Sequence, residues 1–171
     1  IKNRHILSEA ETPEFLSEIA SKECLKKYKK KVDGIIFVTQ SPSIPLPTRA
    51  CLLQDKLQLT KNTIAFDINQ GCSGFVYATS LACALINSKQ AKRILVVCAD
   101  HYSKYISIND RTSRPIFSDA AAAIVIEESK TNEIGPFIFK TDYSSFSNKT
   151  IITNNIISII ISFFGNFLYN Q

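Results

Sequence analysis

The sequence predicts a layered α/β fold built on a mixed, mostly parallel sheet with a buried central helix. Three observations carry this. The short β-branched apolar runs "VDGIIFVT" (32–39), "NTIAFDI" (62–68) and "RILVVCAD" (93–100) read as strands covered on both faces. Helical segments alternate with them, the order a parallel sheet needs for its crossovers. The segment "CSGFVYATSLACALINS" (72–88) has apolar or small residues on nearly every side, the pattern of a helix buried all round.

Taken in order, the first element is a helix over 12–30. "ETPE" offers Thr12 as cap with Pro13 in the first turn, and Phe15, Ile19, Leu25 and Tyr28 recur at roughly helical spacing as its inward face. The strand 32–39 follows. A loop carrying Pro42, Pro45 and Pro47 then leads to a helix over 48–57 with Thr48 as its cap. After strand 62–68, helix 72–88 and strand 93–100 come a further strand, "AAAAIVIEE" (120–128), and a last one, "PFIFKT" (136–141). These elements make one domain, residues 1–142. Residues 143–171 contain no Asp, Glu, Arg, Ala or Val and are dominated by Ile, Asn, Ser and Phe. "IITNNIISIIISFFGNFLY" is about long enough for a membrane helix, but Asn154, Asn155, Gly165 and Asn166 interrupt it; an out-of-frame or decayed end is the other reading. The chain begins with Ile rather than Met, which leaves room for residues upstream.

At 171 residues, 45% hydrophobic and 20% charged, the composition is that of a globular domain with one sizeable core. The net charge of +5 is local, because Lys22, Lys26, Lys27, Lys29, Lys30 and Lys31 crowd into "SKECLKKYKKK". This is the solvated end of a helix. A nucleic-acid surface would interleave arginines and aromatics, and only Tyr28 lies there, so no nucleic acid is expected as a partner, with an acidic carrier protein as the weaker alternative for this patch; no membrane partner is expected either. Five cysteines with no CxxC pair and only two histidines, His5 and His101, argue against both a metal site and a disulfide framework. Reduced thiols point to the cytoplasm.

"DINQGCSGF" (67–75) sets Cys72 between two glycines, after a strand and before a helix. A thiol at a helix N-terminus is drawn toward thiolate, and amides there can face an oxyanion. Gly71 and Gly74 clear space for a substrate carbonyl and for a second element. Cys72 is therefore either a nucleophile or a small residue packed in a tight turn. Cys24, Cys51, Cys83 and Cys98 lie in apolar helix or strand patterns, where packing explains them.

"AFDINQGCSGFVYATSLA" resembles the active-site segment of type III β-ketoacyl-acyl-carrier-protein synthases, of the thiolase-like superfamily. "VDGIIFVTQSPSIPLPTRACLLQDKLQL" is similar to the family's strand, dimer loop and following helix, and "RILVVCADHYSKYISINDRTSRPIFSDAAAAIVIEES" to its strand, Asp-Arg loop and closing hairpin. The likeness runs from about Lys2 to Asp142. It implies one α/β half of a five-layered αβαβα arrangement. By the same resemblance Cys72 takes an acyl group from an acyl-CoA, a coenzyme A thioester that is substrate rather than bound cofactor, and passes it to a malonyl-acyl carrier protein. Arg111 matches an arginine beside the adenine end of coenzyme A, or is a loop arginine capped by Asp110. Leu46 stands where the family's dimer loop reaches the partner subunit's acyl pocket, and Phe117 where a residue lines that pocket, though both also suit plain core positions. A homodimer is implied for the full-length family.

The sequence also departs from that pattern. "SDAAAA" puts Ser118, Ala120 and Ala122 where the family has glycines, so a left-handed backbone there would be strained. The family's histidine and asparagine come from a second, pseudo-repeated half, and neither His5 nor His101 lies in a matching motif. A hydroxymethylglutaryl-CoA synthase would carry a glutamate where this chain has Gln40, whose neutral amide takes no proton. A condensing enzyme with an incomplete catalytic set, inactive alone, is thus one expectation; a non-catalytic remnant or interaction partner of a full-length subunit is the other.

Overall fold

The computed structural model describes residues 4–8, 11–131 and 134–141. Backbone contacts divide the chain into two compact units, Ile1–Glu133 and Ile134–Gln171. The reading of 143–171 as membrane helix or decayed end lies outside the described residues. In the second unit, residues 136–141, expected as a last strand, form no strand. Pro136 has no N–H to give a ladder, and the rings of Phe137 and Phe139 stack 6.3 Å apart.

The first unit is built on a four-stranded sheet in the order β2-β1-β3-β4. β1 (Gly34–Val38) is central and parallel to β2 (Ile64–Ile68) and β3 (Arg93–Asp100), with Gly34 opposite both Ile64 and Ile94. β4 (Ala120–Glu127) runs antiparallel to β3, Arg93 facing Glu127 and Asp100 facing Ala120. All five residues of β1 are buried, as its unbroken apolar run requires. Alternation then sorts the core. Ile36, Val38, Ile94 and Val96 face α3 (Gly74–Asn87) and its Ala78, Ala82 and Ile86. Ile35, Phe37, Leu95 and Val97 form the other core with Ala50 and Leu53 of α2 (Arg49–Lys56), beside Cys24 and Leu25 of α1 (Pro13–Tyr28). The result is three layers, α1 with α2, the sheet, and α3.

α1 starts where the sequence puts it, Thr12 Oγ1 accepting from the Phe15 N–H at 3.2 Å. Its inward face is another matter. Phe15 and Ile19 are nearly half exposed, while Ser17 and Ser21 are buried. The reason is the neighbour: α1 packs mainly on β4, whose Ala121 and Ala123 point to that side. Small residues on both elements let helix and sheet approach closely, with no room for a large side chain between. The lysine-rich end of α1 is exposed and paired, Lys22 with Glu18 at 2.6 Å and Lys30 with Glu127 at 2.9 Å. No helix among the described residues is long and apolar enough to cross a membrane.

Three further expectations change. Thr48 makes no side-chain cap to α2; Asp67 of β2 caps it instead, its carboxylate accepting from the Arg49 N–H at 2.6 Å and the Ala50 N–H at 2.8 Å. α3 is not buried all round, since it is the one helix on its side of the sheet among the described residues. Gly74, Ala78, Thr79, Ala82 and Ile86 are buried, Phe75 and Leu85 are partly so, and Leu81 is 43% exposed. In "SDAAAA" no described residue has a positive φ, so the feared left-handed strain does not arise.

Candidate active site

Cys72 does not sit in the first turn of the α-helix. It lies in a 3-10 turn, Gly71–Ser73, that links the end of β2 to α3, and it is exposed. Two glycines make this placement possible. Gly71 takes φ 54°, where an L side chain is strained. A Cβ on Gly74 would lie 2.4 Å from Val38 Cγ1, so the start of α3 can meet the end of β1 only as glycine. Gly74→Ala is expected to cost about 2 to 3 kcal/mol through this overpacking, read as a lowered denaturant midpoint at unchanged slope. Ser73 offers no side-chain cap to α3, its hydroxyl donating instead to the Gln70 carbonyl at 3.0 Å, and the first N–H of the helix, that of Gly74, donates to the Gly71 carbonyl.

The ends of β1 and β3 are locked together beside this turn. Asp100 Oδ1 accepts from the Thr39 hydroxyl at 2.9 Å, the Gln40 N–H at 2.9 Å and the Ser41 hydroxyl at 2.7 Å. The Ser41 oxygen in turn accepts from the His101 N–H at 2.8 Å. The backbone of Gln40 is thereby fixed, and its side-chain Oε1 lies against Gly71, within 3.6 Å of where a Cβ would stand.

A second carboxylate organises the approach. Asp119 is 1% exposed and receives the Ser103 N–H at 2.9 Å, the Ser103 hydroxyl at 2.5 Å and the Leu7 N–H at 2.9 Å, with His101 Nε2 at 3.7 Å. Burial alone would push its pKa up, but the Ser103 donors, the Leu7 amide and the charge of His101 hold it below the usual carboxylate value. Through it, residues 4–8 are tied to the chain just before β4: Asp119 gives its own N–H to the His5 carbonyl at 2.9 Å, and Arg4 donates to the Phe117 carbonyl at 3.0 Å.

The residues singled out from sequence separate in space and in burial. Phe117 is half-buried against Tyr102, ring centres 4.8 Å apart. Arg111 is exposed; Asp110 does not cap its side chain but accepts from the Thr112 and Ser113 N–H groups, each at 2.9 Å, which lowers the Asp110 pKa. Leu46 is 75% exposed, so it is no core residue in this chain. Among the described residues no hydrogen bond or ring contact joins Cys72, Arg111, Leu46 and Phe117 to one another. Cys51 is also exposed rather than packed, its sulfur accepting from the Thr48 hydroxyl. Cys24, Cys83 and Cys98 are partly buried, and burial raises the pKa of each; for Cys98 burial, aided by the charge of Asp100, pushes it to about 11. Asp100 and Asp119 are not among the residues that the sequence singles out. The available signal was a carboxylate closing or preceding an apolar strand run.

Residues 66–143 match the family model for 3-oxoacyl-[acyl-carrier-protein (ACP)] synthase III. The chain is 38% identical over 132 residues to a protein of Neisseria gonorrhoeae named beta-ketoacyl-[acyl-carrier-protein] synthase III, covering 75% of this chain and 41% of that one. It superposes on a crystal structure of a 3-oxoacyl-(acyl-carrier-protein) synthase III with a TM-score of 0.78 at 36% identity, over 85% of this chain and 44% of the other. For the synthase III of Aquifex aeolicus VF5 the values are 0.72, 37%, 77% and 43%. The fold is thus the thiolase-like layered α/β fold of those enzymes, and the chain spans about two fifths of the length of the curated relatives it matches.

Proposed function

We propose that this chain, similar to 3-oxoacyl-[acyl-carrier-protein] synthase III proteins over about two fifths of their length, accepts an acyl group from an acyl-CoA at Cys72. The observation that carries the reading is the exposed thiol on a glycine-flanked turn at the N-terminus of α3, at the ends of the parallel strands. The Cys72 sulfur, its thiol proton given up to solvent, attacks the thioester carbonyl, the Cys72 amide faces the oxyanion, and the carbon–sulfur bond to coenzyme A breaks to release a thiolate that takes a proton back from solvent. Arg111, on an exposed loop, suits the adenine end of coenzyme A by stacking and phosphate pairing. Phe117, with Tyr102, suits one wall of the acyl pocket, and the outstanding Leu46 suits insertion into a partner subunit's pocket.

The acyl-enzyme is then condensed with malonyl-acyl carrier protein in the full reaction. Decarboxylation needs oriented donors that the resemblance assigns to a histidine and an asparagine, and His101 is held at Asp119 instead. Such donors are worth roughly 10² to 10³ in rate each. The 171-residue chain is therefore expected to acylate but not to condense at a useful rate. Incubation with acetyl-CoA should add one acetyl group to the peptide carrying Cys72, none in Cys72→Ala, and no ketoacyl product should form with malonyl carrier protein. An unmodified Cys72 peptide contradicts the acyl-transfer reading. The exposure of Leu46 favours one second reading, a non-catalytic partner that pairs with a full-length subunit through this loop.

A further inference from the structure

Gln40 is fixed more firmly than an ordinary loop residue, yet the fold makes no use of its side chain. β1 and β2 run in parallel register as far as Val38 and Ile68, so the segments that leave them start side by side. Asp100 holds the first of these segments, its Oδ1 accepting from the Gln40 N–H and from the hydroxyls of Thr39 and Ser41 on either side. The carboxamide is a different case. It makes no hydrogen bond to any described residue although Gln40 is half-buried, and a polar group drawn out of water without a partner costs stability. Its Oε1 lies on the bare side of Gly71, 3.6 Å from where a Cβ would stand, and among the described residues no other heavy atom outside the flanking ones comes within 4 Å of that point. Gly71, at φ 54°, starts the turn that carries Cys72, and no side chain caps that turn. Glycine is the least restrained residue type. What braces it on that side is a neutral carboxamide on an immobilised backbone.

We propose that Gln40 is a positioning residue for Cys72: resting on Gly71, it confines the turn to the conformation in which the thiol meets a thioester carbonyl. The Asp100 lock ties Gln40 to the ends of both β1 and β3, so the turn leans on the sheet rather than on a free loop. A shorter side chain at position 40 would leave Gly71 without this support. A glutamate would keep the length but set a negative charge against the residue next to the thiol, which disfavours the thiolate. The amide fills the same space without the charge. Group transfer is sensitive to such support, since a misplacement of about 1 Å can slow it by ~10². Alkylation by a small diffusing reagent asks for no such placement, and the two reactions therefore separate position from reactivity. The inference rests on the acyl-transfer reading for the reaction that Gln40 serves.

Acetylation of Cys72 by acetyl-CoA and its alkylation by iodoacetamide, both followed by peptide mass mapping of the full chain, test the proposal in Gln40→Ala and Gln40→Glu. Gln40→Ala is expected to acetylate about tenfold more slowly than the parent while alkylating at the parent's rate. Gln40→Glu is expected to alkylate about threefold more slowly near neutral pH. That deficit disappears at about pH 10.5, where cysteines are largely ionised. Far-UV circular dichroism checks that the alanine variant is folded; if it is not, Gln40→Ser is read in its place with the same expectation. Acetylation of the folded variant at the parent's rate overturns the proposal. So does equal slowing of both reactions, which marks a general loss of structure, and so does a glutamate variant with the parent's alkylation profile. A parent chain that takes no acetyl group overturns the acyl-transfer reading and this proposal with it, whereas an acetylated parent beside an unaffected alanine variant overturns the proposal alone.

Discussion

Asp119→Ala is expected to cost this fold about 3 kcal/mol, because it leaves one buried and two half-buried donors without their acceptor. The Leu7 N–H, the Ser103 N–H and the Ser103 hydroxyl all converge on that carboxylate, and a buried unsatisfied donor costs about 1 to 3 kcal/mol. Against a typical domain stability of roughly 5 to 15 kcal/mol, this is a large share. Asp119→Asn keeps one acceptor oxygen and should lose about half as much. The pH dependence follows from the direction of the shift. A carboxyl held below its unfolded value contributes stability that is full above about pH 4 and is lost as pH falls through the folded pKa. The alanine variant should therefore show a lower melting temperature at neutral pH and a flatter loss on acidification. Limited proteolysis should cut its first residues early, since residues 4–8 are anchored there. A variant as stable as the parent would mean that the Asp119 cluster is not a fixed part of the fold.

The second large effect is the spread of thiol reactivity. A pKa near 11 leaves Cys98 with thiolate at neutral pH on the order of 10² rarer than in an ordinary cysteine near 8.5. Partial burial adds a barrier to reagents. Cys24 and Cys83 are shifted the same way by burial. Cys72 and Cys51 are exposed. Native-state alkylation should thus separate the five into two fast and three slow thiols, and the difference should vanish in denaturant, where all five become equivalent.

Much of the fold was legible because local chemistry and tertiary context agree. The β1, β3 and β4 runs are apolar and β-branched or small, and each became a strand; the Thr12 and Pro13 pair became the start of α1. What sequence could not show is where neighbours have small residues. Phe15 and Ile19 read as core by periodicity, yet Ser17 and Ser21 took the inward position because β4 offers alanines there. Thr48 read as a cap, but Asp67, 19 residues later, brings a full charge to the same amides. The glycine-cysteine turn was readable from the order of residue types alone. Gln40 against Gly71 was not, because only the parallel register brings β1 and β2 to end side by side. Asp100 and Asp119 escaped for a similar reason: their donors come from residues 39–41, 101, 103 and 7, which sequence does not place together.

Whether Cys72 is an acyl-accepting thiol is decided by iodoacetamide labelling with peptide mapping, run with and without acetyl-CoA. Cys72 and Cys51 are expected to label first in the folded chain, with acetyl-CoA suppressing labelling of Cys72 alone. Labelling of Cys72 that acetyl-CoA leaves unchanged, or a Cys72 that stays inert while Cys51 reacts, would contradict it.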